Sequence, residues 1–264
     1  YAFKIDKFIC LGTPEDYEQF LYWYSVFQET NSSNRNEDVT EYSLIPMAGE
    51  GSRFKEYGYK TSKPFIQIGG ESLLEKCIKS LPSAKNYIFV LRENDSVKDL
   101  IQKDVNNALP SKRNTFISIN EKTDGQAITC LLAQPYFEEE SSLMISSCDY
   151  ELRFCNQVLN ELIDSDCDVI IFTFKLGSLP VGSYENFAYC NTPNDSIVES
   201  IVEKSCISNK PQEDQMVTGT FWFKKGKYFI QGVEGLIKED IRVNDEYYVG
   251  TSINLLINKG LKVR

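Results

Sequence analysis

The stretch from Leu44 to Gly70, LIPMAGEGSRFKEYGYKTSKPFIQIGG, constrains this chain more than any other. It opens with an apolar run, Leu44, Ile45, Pro46, Met47 and Ala48, that reads as a buried strand. Gly49 and Gly51 follow at once, then Ser52 and Arg53, and Lys63-Pro64 come ten residues after Arg53. Glycines just past a strand let the backbone approach a ligand that a side chain would exclude. Consecutive amides in such a loop form a concavity that binds anions. Arg53 and Lys63 add two fixed positive charges, a set suited to a polyphosphate and to the charge that shifts when one is cleaved. A glycine pair alone reads better as a tight strand-to-helix turn, so the weight lies on the whole series. Two other phosphate loops do not fit: Lys63 is too far from the glycines for a P-loop, and Phe54 stands where the dinucleotide fingerprint needs its third glycine.

The series A-G-x-G-S-R, a nine-residue spacer that opens with Phe54 (54–62) and K-P-F resembles a known family. These are the nucleotidyltransferases that join a nucleoside triphosphate to a sugar phosphate or similar phosphorylated alcohol. The branch it resembles most occurs in capsule and surface-polysaccharide gene clusters. The resemblance extends over nearly all the chain outside a polar linker, most strongly at 44–70 and 244–260 and next at 6–20. It implies a three-layer α/β/α, Rossmann-like domain with a central mixed, mostly parallel sheet. It also implies a cytoplasmic, Mg²⁺-dependent enzyme whose partners are an NTP, CTP by preference, and a phosphorylated small-molecule acceptor.

Composition bounds the alternatives. The chain has 264 residues, 42% of them hydrophobic, enough for a sizeable core. Its 28 basic against 38 acidic residues give a net charge of −10, which argues against a nucleic-acid partner. There is no histidine, so Ser-His-Asp and Cys-His catalysis and histidine metal ligands are excluded. The eight cysteines form no C-x-x-C pair, and reduced thiols are expected rather than a disulfide framework. No apolar run approaches the length of a membrane span, so no membrane partner is expected.

Taken in order, residues 1–10 read as an aromatic-rich strand. Thr13-Pro14-Glu15-Asp16 then opens a helix running to about Phe27. Residues 28–42 read as a polar linker and 43–264 as the catalytic domain. Strands are expected near 43–48, 86–91, 114–119, 142–147, 168–175, 186–190, 197–203 and 217–224. Helices are expected near 72–81, 95–103, 125–134, 153–164, 226–238 and 246–259. In the family, a segment like DKFICLGTPEDYEQF forms the last strand and helix of the domain; here it comes first. Residues 1–27 therefore read as that terminal piece placed first, by circular permutation, by excision from a tandem array, or as an element swapped within a homo-oligomer.

Asp149, at the end of SLMISSCDY, is placed by the strand-to-edge rule at the carboxyl side of the sheet, and by resemblance is a Mg²⁺ ligand and catalytic residue. Its other reading is the N-cap of the helix near 153–164. Asp149-Tyr150-Glu151 also approximates a glycosyltransferase D-x-D. The family's second metal Asp is replaced by Cys10; Asp6, four residues earlier on the same strand face, is the candidate substitute or else a solvent-facing residue. The resemblance implies nucleotide contacts from Ala48, Gly49, Gly51, Ser52, Arg53 and Lys63, and from Thr123, Gly125 and Gln126, where Thr123 or Asp124 also reads as a helix N-cap. It implies acceptor contacts from Glu203, Lys204, Thr218, Gly219, Asn244 and Glu246; Asn244 to Glu246 equally suit a helix start. A glycosyltransferase using a sugar nucleotide, and a non-catalytic nucleotide-binding subunit, are the competing functions.

Overall fold

The computed structural model describes residues 11–28, 37–49, 54, 56–92, 95–177, 183–193 and 197–264. Helix α1 spans Pro14–Gln28. Its start is a reciprocal cap: the Asp16 amide donates to the Thr13 hydroxyl at 3.1 Å and the Thr13 amide donates to the Asp16 carboxylate at 3.2 Å. The strand expected over 1–10 lies outside the described residues.

Strand β1 (Thr40–Met47) sits at the middle of the sheet. It pairs in parallel with β4 (Ala84–Arg92) on one side and with β6 (Leu143–Ile145) on the other. Strand β5 (Arg113–Ile119) extends the parallel set beyond β4. Strand β10 (Gln215–Phe223) runs antiparallel to β6, to β7 (Val169–Phe174) and to β8 (Ala188–Asn191), and β9 (Ser200–Glu203) runs antiparallel to β8. β7 and β8 therefore point the same way as β1. In the eight-stranded sheet of the described residues only β9 and β10 are reversed, so the sheet is mixed and mostly parallel. A small hairpin, β2 (Gln67–Ile68) and β3 (Glu71–Ser72), turns at Gly69-Gly70.

The period-two alternation of β1 divides the core between two faces. Leu44 packs with Ala127 and Cys130 of α4 (Gln126–Leu131), Phe229 and Val233 of α6 (Gly226–Glu239) and Ile253 of α7 (Val249–Asn258). Its neighbour Ile45 packs the other way, with Leu74 and Ile78 of α2 (Leu73–Ser80) and Ile101 and Val105 of α3 (Asp95–Ala108). Helix α5 (Asn156–Asp164) brings Leu159 against Met144, Ile170 and Trp222. Helices cover both faces, giving three layers.

Boundaries differ from the sequence pattern where pairing or proline intervenes. β1 starts at Thr40 because Thr40 and Tyr42 pair with Ala84 and Asn86. α4 stops at Leu131, ahead of Pro135, and a 3-10 turn over Gln134–Tyr136 follows. Residues 153–155 are not helical, and Phe154 instead stacks edge-on against Phe172, 6.2 Å between ring centres. The described cysteines are all free.

Candidate functional site

Lys63 is fixed by the structure that follows it. It begins a 3-10 turn, Lys63–Phe65, with Pro64 in its first positions. The Leu73 amide donates to the Ile66 carbonyl at 2.9 Å, closing the β2–β3 hairpin over this turn. Ser72 then caps α2 in a box with Glu75. The chain after Lys63 is thus tied to a helix packed on the sheet. Its ammonium also lies 5.8 Å from the centre of the Phe54 ring.

Asp149 follows β6, in the middle of the sheet, at the carboxyl ends of the parallel strands. The loop carrying it is pinned on two sides. The Cys77 thiol of α2 donates to the Ser147 carbonyl at 3.2 Å, and the Leu152 amide donates to the Ser80 hydroxyl at 2.9 Å. On the other side the Ser147 amide donates to the Tyr150 hydroxyl at 3.0 Å, and that hydroxyl bonds the Thr220 hydroxyl of β10. The Asp149 carboxylate accepts from the Lys63 ammonium and the Ser147 hydroxyl. Residues 86 apart in sequence therefore meet at one point. Burial pushes the Asp149 carboxyl up, but the bonds from Lys63 and Ser147 outweigh it and hold the group below the ordinary carboxylate range. Burial also pushes the Cys77 and Cys148 thiols up to about 12, so both stay protonated and serve as packing. The alternative reading of Asp149 as an N-cap is corrected: the cap of α5 is Cys155. Glu151 pairs with Arg153 at 3.4 Å, while Asp149 turns to Lys63.

A second wall is built from two segments that dock by backbone. The Tyr247 amide donates to the Asp124 carbonyl at 2.8 Å and the Ala127 amide to the Tyr247 carbonyl at 3.0 Å. Gly125, at φ +116°, lies between them; a Cβ there would stand 2.6 Å from both the amide nitrogen and carbonyl oxygen of Tyr247. The protein itself therefore requires this glycine. The Thr123 hydroxyl bonds the Thr129 hydroxyl and donates to the Gly125 carbonyl, and Gly125, with no side-chain cap, is the N-cap of α4. Gln126, half-buried, is the first residue of α4. The helix start read at Asn244–Glu246 is likewise corrected. Asn244 and Asp245 both have positive φ, 49° and 62°, and form the turn of a tight hairpin in which Val243 and Glu246 exchange both backbone bonds at 3.0 Å. Asn244 is thereby at an exposed tip. α7 starts only at Val249.

The hairpin brings Tyr248 beside both Glu246 and Lys204. The Tyr248 hydroxyl donates to the Glu246 carboxylate at 2.9 Å. The Lys204 ammonium lies 5.8 Å from the centre of the Tyr248 ring and donates to the Asn186 carbonyl. Glu203, beside it, points into the space where a Cβ on Gly250 would stand. Among the described residues its carboxylate has no hydrogen-bond partner. Burial raises its pKa to about 7, against a smaller pull downward from Lys204. Thr218 and Gly219 fall on the irregular stretch of β10 between Val217 and Phe221. Thr218 donates to the Phe172 carbonyl at 3.0 Å, and Gly219 has φ +88° with open space where a Cβ would be. Thr220, the next residue, is the one that holds Tyr150, so this bulge adjoins the Asp149 loop.

Ala48 is half-buried, and Gly49 is exposed, with nothing near the position of a Cβ. Gly51, Ser52, Arg53 and Asp6 lie outside the described residues. Sequence reasoning missed Ser147, Thr220 and Tyr248; the hydroxyl contact from Tyr150 to Thr220 spans 70 residues and carries no local pattern. Among the described residues there is no group of three or more acidic or cysteine side chains fit to hold a metal, and no helix long and apolar enough to cross a membrane.

A parallel-strand edge where Gly49 follows the central strand and a lysine meets an aspartate is the arrangement of a nucleotidyltransferase-type protein. Comparison confirms the class: residues 43–191 match the model of the MobA-like NTP transferase domain, and this chain belongs to that family. No curated protein matches the sequence. Among solved structures, the fold is similar to a nucleoside-diphosphate-sugar pyrophosphorylase from Vibrio cholerae, at 22% identity and TM-score 0.66, over 84% of this chain and 90% of that one. It is similar also to the inositol-1-phosphate CTP transferase from T. maritima, at 17% identity and TM-score 0.65, over 86% and 85% of the two chains.

Proposed function

We propose that this protein transfers a nucleoside monophosphate from an NTP, CTP by preference, to a phosphorylated sugar or small alcohol or amide, in the synthesis of capsule or surface-polysaccharide precursors. An oxygen of the acceptor phosphate attacks the α-phosphorus, a new P–O–P bond forms, and pyrophosphate leaves. The acceptor phosphate is already a nucleophile, so no general base is needed, in keeping with a chain that lacks histidine. The observation that carries the reading is the meeting of Lys63 and Asp149 at the carboxyl edge of the sheet.

In this reading Lys63 leaves Asp149 for the phosphates of the donor, and Arg53 and the amides around Gly49 and Gly51 cradle them. Asp149 and the neighbouring Ser147 hydroxyl offer hard oxygen donors, which suits magnesium held mainly by one carboxylate and substrate oxygens. Bound there, the ion would neutralise triphosphate charge. Thr123, Gly125 and Gln126 border the nucleoside, and Glu203, Lys204, Thr218, Gly219, Asn244 and Glu246 the acceptor. A pyrophosphate-release screen tests this, with four NTPs and Mg²⁺ against sugar phosphates, phosphocholine-like compounds and other phosphorylated small molecules. CTP-dependent release with one acceptor class is expected. Silence across the panel, with NTP binding confirmed by thermal shift, would reject transfer.

A further inference from the structure

The opposite end of the sheet holds a cavity of about 300 Å³ that the transfer reaction does not use. Its floor is set by strand register. Tyr42, Asn86 and Arg113 stand side by side on β1, β4 and β5, and Ile88 and Thr115 form the next row on the same face. Tyr136, in the 3-10 turn after α4, and Glu138 close the side. Tyr42 is near the start of β1 and Gly49 follows its end, so the cavity lies roughly 20 Å from Gly49 at about 3.3 Å per strand residue.

The lining is chemically mixed in a way a core pocket is not. Among the described residues the Arg113 guanidinium has neither an ion pair nor a hydrogen bond. The Glu138 carboxylate accepts from the Ser141 hydroxyl at 3.1 Å and faces the same space. The Tyr42 ring packs against Phe137, 6.3 Å between centres, which leaves the Tyr136 ring half in water. A free arginine fork meets phosphate oxygens. An exposed aromatic face gains by stacking on a planar ring. Glu138 disfavours a bare anion beside Arg113 but accepts hydrogens from hydroxyl or amino groups. The volume is at the small end of the range for ligand sites, about 300 to 1,000 Å³.

We propose that this cavity is a second binding site, for a nucleotide: phosphate on Arg113, base against Tyr136, and hydroxyl or amino hydrogens on Glu138. The site stands apart from the transfer chemistry, and its test does not depend on turnover. Calorimetric titration of AMP, CMP, GMP and UMP, with inorganic phosphate as control, is run on the Lys63→Ala protein, in which the catalytic edge is impaired. At least one nucleotide is expected to bind there. Arg113→Ala and Tyr136→Ala, each added to Lys63→Ala, should weaken that binding about tenfold or more, and Arg113→Lys should restore part of it. Both side chains reach solvent, and unchanged melting temperatures verify folding. Binding that ignores both substitutions, absence of nucleotide binding to Lys63→Ala, or phosphate binding as tightly as the nucleotides would each overturn the assignment.

Discussion

The two sides of the candidate site treat charge differently. On the proposed donor side Lys63 and Asp149 satisfy one another, and the aspartate is held below the ordinary carboxylate range despite its burial. On the proposed acceptor side the Glu203 carboxylate is half-buried with no hydrogen-bond partner among the described residues, and burial raises its pKa to about 7. A paired charge can wait without ligand at little cost, whereas an unpaired buried one is costly until something donates to it. In the proposed reaction the donor side is therefore preformed, and the acceptor side is completed by what binds.

Breaking the paired side should have the largest effect. Lys63→Ala and Asp149→Asn should each lower kcat/KM about a hundredfold or more, since in the proposed reaction the first removes the cation that meets the donor phosphates and the second the carboxylate that would hold magnesium. Circular dichroism should show both folded. The double variant should cost little more than either single one, because the two act as a unit. Full additivity, or near-normal turnover in either variant, would separate them.

Next in size is Gly125, where the segment before α4 docks on Tyr247. Gly125→Ala places a methyl group 2.6 Å from the Tyr247 backbone and forces alanine to a φ of +116°. A loss of about 1–3 kcal/mol in stability is expected, with KM raised for both substrates. A rise confined to the nucleotide would show that the two walls move independently.

The unpaired side is read by pH. Glu203 binds its proton more tightly folded than unfolded, so the stability it contributes is present below about pH 4.5 and is lost as pH rises toward 7. Glu203→Gln should flatten that fall, worth at most about 3 kcal/mol, and raise KM for the acceptor but not for the NTP. An unchanged pH–stability profile would place the carboxylate in water.

Much of this was legible beforehand, and for physical reasons. The strands of the parallel set are apolar runs bounded by polar turns, and their parallel direction follows from strand-helix alternation. Lys63 and Asp149 were legible through motif and strand-edge position, though nothing local says that they touch. Other features depended on distant partners. Asn244 and Asp245 have residue types that serve a helix cap or a left-handed turn equally, and docking against Asp124 decides for the turn. Gly125 reads as a place for ligand approach, yet its constraint is Tyr247, 122 positions away. Period and propensity speak for neighbours in sequence; contacts across the sheet edge do not show in either.

The smallest effect concerns how the paired side is held. The Tyr150 hydroxyl accepts from the Ser147 amide and bonds the Thr220 hydroxyl, so it joins the Asp149 loop to the bulge of β10 that carries Gly219. Tyr150→Phe keeps the ring, which is packed with the cluster of Ile45 and Phe89, and removes only the bridge. It leaves a backbone amide and a hydroxyl without their partner, a cost of about 1–3 kcal/mol. Turnover should fall only several-fold, since the Asp149 loop stays tied to α2 through the Ser147 carbonyl and the Leu152 amide. Thr220→Val should do less, because the Ser147 amide keeps its acceptor. If Tyr150→Phe instead equals Asp149→Asn in its loss of kcat, then the carboxylate is positioned by the bridge rather than by the ties to α2, and this side of the site is less self-sufficient than its ion pair suggests.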